Sequence, residues 1–240
     1  MSINTRQRRV LGVAVTFVAA VLGANQASAE PLLWGIQAEQ LEYRVGENAR
    51  IGAWDFDAFV GRDELKFVLR SEAEYDFDHE EFETLENQAR LQIPISDFFD
   101  AVGGVRVDTP DEGPTRVYGV LGVHGLAPQW FEVDADLFVS DRPAFRAEAE
   151  YEALITNRII LVPSIEVDLP LVDDHAIGAG AFGPKVEIGA RLSYDLVDRL
   201  IAPYIGVHYE RKFGETAQLA REEGENVEQI FGVVGVRVMY

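Results

Sequence analysis

Apolar and polar residues along this chain sort by alternate positions, not by helical turns. In Leu65-Lys66-Phe67-Val68-Leu69-Arg70-Ser71-Glu72-Ala73-Glu74-Tyr75 the odd positions are uncharged and mostly apolar, while Lys66, Arg70, Glu72 and Glu74 fall on the even ones. A period of two is the mark of a strand with unlike faces. The alternation recurs over Leu85 to Ile95. Phe131 to Val139 sets Glu132, Asp134 and Asp136 against apolar neighbours, and Phe145 to Ala153 does the same with Arg146, Glu148, Glu150 and Glu152. Lys185 to Tyr194 repeats it with Lys185, Glu187 and Arg191. In these five segments, with Glu64 added to the first, the apolar parity carries no charge, whereas the other carries eleven acids and six bases.

Twelve such segments are expected: Trp34–Val45, Arg50–Val60, Glu64–Tyr75, Thr84–Ile95, Ala101–Asp108, Arg116–Leu126, Trp130–Val139, Phe145–Leu154, Arg158–Leu169, Pro184–Tyr194, Ala202–Phe213 and Val227–Tyr240. Their connections alternate in character. Gly61-Arg62, Ser96–Asp100, Ala127–Gln129, Thr156-Asn157 and Asp195–Arg199 are tight. Asp76–Glu83, Thr109–Thr115, Pro170–Gly183 and Gly214–Asn226 are longer, acidic or rich in Gly and Pro. Short turns at one end, long loops at the other and an even number of strands predict an all-β, twelve-stranded antiparallel transmembrane barrel of the outer-membrane type. A soluble antiparallel sheet alternates as well, but turns its apolar face to a core and its charges to water. Two features favour the inverted arrangement. Tyr43, Tyr75, Tyr151, Tyr194 and Tyr209 fall at or near strand ends, where interfacial girdles sit. The chain also ends in the amphipathic run Val234-Gly235-Val236-Arg237-Val238-Met239-Tyr240, closed by an aromatic residue.

Charge and export signals sharpen this picture. The chain has 240 residues and a net charge of -20. Such an excess of acid repels phosphate backbones and anionic headgroups, which excludes nucleic acid as a partner and makes cations the natural ones. With no cysteine there is no disulfide, thiolate nucleophile or Cys-ligated metal. Arg6, Arg8 and Arg9 precede the uncharged, mostly apolar run Val10–Ala24, and Ala27-Ser28-Ala29 follows as a small-x-small cleavage site. Residues 1–29 therefore read as a cleaved signal peptide, and residues 30–240 as the barrel, with almost no extension before the first strand. The leader holds three bases and no acid, so its removal takes the net charge to -23.

The charged parity lists a lumen dominated by carboxylates. Opposite charges paired across strands prop such an interior open, and the unpaired excess concentrates cations. His208 lies at inward-compatible parity with Glu210 two residues on, and His124 lies beside glycines in Gly122-Val123-His124-Gly125. Imidazole with carboxylates suits Cu(II), Zn(II) or Ni(II), and a strand histidine also serves as a hydrogen-bonded filler. His79 and His175 fall in acidic loops. Neither Ser71, Ser140, Ser164 nor Ser193 is tied to a histidine by parity or motif, and no phosphate loop or dinucleotide fingerprint is present. Catalysis is not expected.

Several unbroken stretches resemble the copper resistance protein B family. They include Trp34-Gly35-Ile36-Gln37-Ala38-Glu39-Gln40-Leu41-Glu42-Tyr43-Arg44, then Phe82–Gln88 continuing through Ile95-Ser96-Asp97-Phe98-Phe99-Asp100 to Arg106. His124-Gly125-Leu126-Ala127-Pro128-Gln129-Trp130-Phe131-Glu132-Val133-Asp134-Ala135 and Pro203–Gly214, followed by Leu219–Gly224, belong to the same likeness, which runs from about Trp34 to Tyr240. The resemblance implies an outer-membrane copper resistance barrel that handles copper ions together with periplasmic copper-binding proteins of the same system. Family members typically carry a Met- and His-rich stretch before the barrel, whereas the only methionines here are Met1 and Met239. Copper ligation is then expected from His124, His208 and Glu210, with Glu132, Asp134 and Asp136 as lumenal acids. The alternative is a non-selective or structural barrel whose copper link runs through a partner.

Overall fold

The computed structural model describes residues 31–240 other than Asn48, Glu112 and Asp198, so the expected signal peptide lies outside the described residues. Twelve antiparallel strands follow one another: β1 (Leu33–Val45), β2 (Arg50–Arg62), β3 (Leu65–Asp76), β4 (Glu81–Pro94), β5 (Phe99–Asp108) and β6 (Arg116–Ala127). After these come β7 (Phe131–Val139), β8 (Ala144–Tyr151, resumed after Glu152 by Ala153–Leu154), β9 (Ile159–Pro170), β10 (Lys185–Tyr194), β11 (Ile201–Lys212) and β12 (Glu228–Met239). Each pairs with its chain neighbours, and β12 returns to β1, with Gln37 opposite Met239 and Val45 opposite Gly232. Ile36 and Tyr240 exchange both backbone hydrogen bonds at 2.8 Å, so the last residue of the chain seals the seam. Hydrocarbon offers no partner to a free N–H or C=O, and closure leaves no edge unpaired.

Burial follows the inverted order. Leu121, Val123, Ile188, Leu192, Ile205, Val207 and Val234 are exposed on the outside, Ile205 by 63%. Glu42, Arg44, Glu86, Gln88, Arg90, Arg106, Asp136, Arg191 and His208 are buried inside. Aromatic pairs mark both rims. Trp34 stacks near Tyr240 at 5.5 Å and Phe131 near Tyr151 at 5.1 Å at the turn end. At the loop end Phe77 meets Tyr43 and Tyr75, and Tyr75 also meets Phe82.

Two bulges depart from simple alternation. In β1, Ala38 faces Phe56 while Gln40 faces Asp55, which leaves Glu39 as an extra residue. Outward positions are therefore even before it (Trp34, Ile36) and odd after it (Leu41, Tyr43, Val45), so Gln37, Glu39, Gln40, Glu42 and Arg44 all stay on the lumenal side. In β4 an extra Glu83 lets the strand begin at Glu81, three residues earlier than the alternation suggests. The loop after β11 also holds a helix that period-two reading does not reveal: α1 (Gly214–Glu223), ended by Gly224 in the left-handed region at φ 82°. Thr216 of α1 clasps the other long loop. Its hydroxyl accepts from the Gly180 N–H at 3.0 Å and donates to the Gly183 carbonyl at 2.6 Å.

Leu121 lies near the middle of β6 and faces outward with 59% exposure. Leu121→Arg is expected to destabilise the barrel by about 2–4 kcal/mol, the cost of a cationic side chain at the bilayer midplane. Urea unfolding in lipid vesicles reads this as a lowered midpoint, and an unchanged midpoint would contradict the membrane-facing assignment.

Candidate metal site in the lumen

The lumen is divided along its axis. A cavity of about 1090 Å³ opens towards the loops, and its lining reaches down to Gln40, Asp55, Glu148 and Arg191. Arg70, Arg90, His124, Glu132, Asp134 and Asp136 are not part of that lining and belong to the turn-side half. There the interior is filled. Arg90 is 0% exposed, Asp136 and Gln88 are buried, and Val102, Val120, Ile160 and Ala202 pack inside the wall.

In both halves arginines tie strands together across the lumen. Arg70 on β3 forks onto Asp57 of β2 at 3.1 and 3.2 Å and reaches across to Asp134 of β7 at 3.0 Å. Arg90 on β4 meets Asp136 and stands 3.6 Å from Asp134. Arg146 on β8 donates to Asp168 at 2.7 Å beside it and spans the lumen to Glu72 at 2.8 Å and Glu86 at 3.0 Å. Arg191 on β10 binds both oxygens of Glu42 on β1 at 2.9 Å, and the same carboxylate accepts from Arg44 at 2.6 Å and from the Tyr204 hydroxyl at 2.9 Å. Glycines open the space: a Cβ at Gly122 would lie 1.9 Å from Asp136 Oδ1, and one at Gly189 would lie 2.5 Å from Arg191 Nη1.

On the wall of the loop-side cavity, strand register assembles a donor group. Glu187 on β10 faces Glu210 on β11, and Gly189 faces His208. His208 is buried, with Nε2 3.3 Å from Glu187 Oε2 and 3.4 Å from Arg44 Nη1. One ligand atom from each of Glu187, His208 and Glu210 falls within 4.8 Å of the others. Among the described residues no other three His, Cys, Asp or Glu side chains converge so closely. One imidazole and two carboxylates form a borderline donor set that suits Cu(II). A cationic side chain already bridges the two carboxylates: Lys185 Nζ lies 2.8 Å from Glu187 and 3.1 Å from Glu210.

The expected ligands are thus distributed over two levels. His208 and Glu210 come together and gain Glu187, which the sequence offered only as one more lumenal acid. Its pairing with Glu210 depends on the register of β10 against β11, which alternation does not encode. His124 lies at the turn side with Asp134 as its cross-strand partner, 3.3 Å from Nδ1, and Glu132 3.8 Å from Nε2. Asp134 is shared with Arg70 and Arg90, and Asp136 is taken by Arg90. The four serines are engaged by Trp54 (Ser71), the Arg142 N–H (Ser140), Arg191 (Ser164) and the Ile160 carbonyl (Ser193).

Comparison with known proteins matches residues 32–240 to the family model described as copper resistance protein B precursor. Copper resistance protein B of Escherichia coli is 34% identical over 204 residues, covering 84% of this chain and 68% of that protein. A copper resistance protein B homolog of Pseudomonas syringae pv. tomato is 34% identical over 205 residues, covering 85% and 68%. The chain belongs to the copper resistance protein B family. Among solved structures, a NanC porin aligns with TM-score 0.55 at 13% identity, covering 86% of this chain and 99% of that one. A KdgM porin aligns with TM-score 0.51 at 11% identity, covering 85% and 98%. Both likenesses concern the fold, a closed barrel. Family, closed topology and lipid-facing apolar wall together make this an outer-membrane protein with a role in copper resistance, its turns on the periplasmic side. The precursor form named for the family accords with an exported chain.

Outside the barrel wall, the loop after β3 carries its own ion pairs. His79 Nδ1 lies 2.6 Å from Asp76 Oδ2, and this bond raises the His79 pKa above the ordinary histidine value. Arg50 beside Asp78 holds that carboxyl below the usual range. Because the folded pKa of His79 is the higher one, its contact with Asp76 is fully present below the ordinary histidine pKa and fades as pH rises through the raised value. Proton NMR titration is expected to find His79 above the free-histidine midpoint, and Asp76→Asn is expected to bring it back. In the lumen, Arg90→Met leaves Asp136 buried and unpaired and is expected to cost about 3–5 kcal/mol in urea unfolding. The Arg90→Met/Asp136→Leu double variant should recover most of that loss.

Proposed function

We propose that this barrel binds copper ions in its acidic, loop-side lumen, with Glu187, His208 and Glu210 as the ligands. The observation that carries this reading is the convergence of three metal-capable donors on the wall of a cavity open at the loop end. Carboxylates around that cavity, including Glu74, Glu83, Glu166 and Asp168, draw cations towards it. Copper is the cargo in this account, held as Cu(II) by nitrogen and oxygen donors, and the protein is not an enzyme. Onward passage meets the filled turn-side half, where His124, Glu132 and Asp134 form a second group at the periplasmic end and Asp136 is engaged with Arg90. Movement of ions past this region requires Arg70 and Arg90 to exchange partners. Handover to periplasmic copper-binding proteins of the same resistance system belongs to this reading too.

A second reading is a barrel whose charges only maintain the lumen and whose copper link runs through a partner. Lys185, which already bridges Glu187 and Glu210, and Arg44, whose guanidinium stands 3.4 Å from His208 Nε2, favour it. Cu(II) titration of the purified barrel, followed by electron paramagnetic resonance, separates the two. Binding with nitrogen coordination is expected, and His208→Ala should lose that nitrogen and weaken binding at least about tenfold, the cost of disturbing even an outer partner of a ligand. His124→Ala reports on the turn-side group independently. Unaltered binding in both histidine variants, or none in the parent protein, would leave the partner-mediated reading in place.

A further inference from the structure

We propose that Lys185 is a tethered competitor of the metal ion and thereby sets the selectivity of the Glu187–His208–Glu210 group; this rests on the copper-binding reading given above. The ammonium bridges the two carboxylates that provide two of the three donors, at 2.8 and 3.1 Å. A metal held by those oxygens takes the position of Nζ, so binding is an exchange and not an addition. The competitor cannot diffuse away. A four-carbon stem keeps it at a high effective concentration, and any incoming ion has to outbid it.

Which ions succeed follows from what each gains. Na(I), Mg(II) and Ca(II) are hard cations that replace the ammonium with little beyond carboxylate oxygens, and His208 adds almost nothing for them. Cu(II) gains an imidazole nitrogen as well and stands at the top of the divalent affinity order. Lys185 thus raises the threshold for all ions while His208 lowers it for copper. The displaced side chain has room to move into the cavity, which Lys185 lines with 28% of its side chain exposed, beside Asp168 across the β9–β10 ladder, a carboxylate that Arg146 already engages. No covalent step is involved, and the exchanged ammonium keeps its proton.

The test compares the parent barrel with Lys185→Gln, Lys185→Arg and His208→Ala, each purified in detergent with its fold checked by circular dichroism. Cu(II) affinity is measured alone and against excess Mg(II). Lys185→Gln is expected to bind Cu(II) about tenfold or more tightly and to let Mg(II) compete. Lys185→Arg keeps the charge in a fork that fits both carboxylates, and is expected to bind Cu(II) no better than the parent. If Lys185→Gln binds Cu(II) equally or more weakly while His208→Ala still loses affinity, the competitor role is overturned and the site stands. Should Lys185→Gln not fold, tighter binding by Lys185→Arg overturns the role and equal or weaker binding supports it. An unchanged affinity in His208→Ala removes the site and the proposal with it.

Discussion

A wall that faces hydrocarbon on one side has only its other side for charge. From that constraint the rest of the molecule follows. Backbone polar groups are satisfied by closing β12 onto β1, and side-chain polarity is forced inward, where acids and bases share a confined lumen. The excess of acid in the sequence is therefore a problem of the interior, met by arginines that extend from one wall to another. Arg146, Arg70 and Arg191 each touch carboxylates on strands that are not their ladder neighbours. The walls are joined through the lumen as well as around the circumference.

Arginine suits that task because its planar fork presents several donors in fixed directions and keeps its charge when buried. Glu42 illustrates the density reached: a fork from Arg191, a bond from Arg44 and the Tyr204 hydroxyl all converge on one carboxylate. Such packing needs room, and Gly122 and Gly189 provide it where a methyl group would collide with Asp136 or Arg191. Glycine in these strands thus serves the interior and not the turn chemistry. The turn-side half becomes a packed core of paired charges and apolar side chains, while the loop-side half remains a cavity, and the two longest loops beside it are fastened to each other by Thr216.

Strand number, strand order and facing were legible because a period of two with unlike faces is a local signal, repeated twelve times and confirmed by alternating connection lengths. What remained hidden has a common cause. The pairing of Glu187 with Glu210 depends on register, the bridge from Arg70 to Asp134 on the curvature of the wall, and the separation of His124 from His208 on position along the axis. None of these is encoded by alternation within a strand. Glu39 and Glu83 escaped notice because each bulge adds one residue and reverses parity, which looks in sequence like a lapse of pattern. Helix α1 is a single short element in a polar loop, with Ala217 and Ala220 buried, too brief for its periodicity to stand out.

The surplus of carboxylate around the loop-side cavity also makes that space an ion exchanger. Fixed negative charge in a confined aqueous volume enforces a Donnan equilibrium, in which mobile cations accumulate and anions are kept out whatever their chemistry. Any one cation entering there competes with all the others that the fixed charge collects. Its occupancy is governed by the ratio of ions outside as much as by its own concentration. The ionic strength of the surroundings thereby becomes a control on how many cations of any kind the cavity collects.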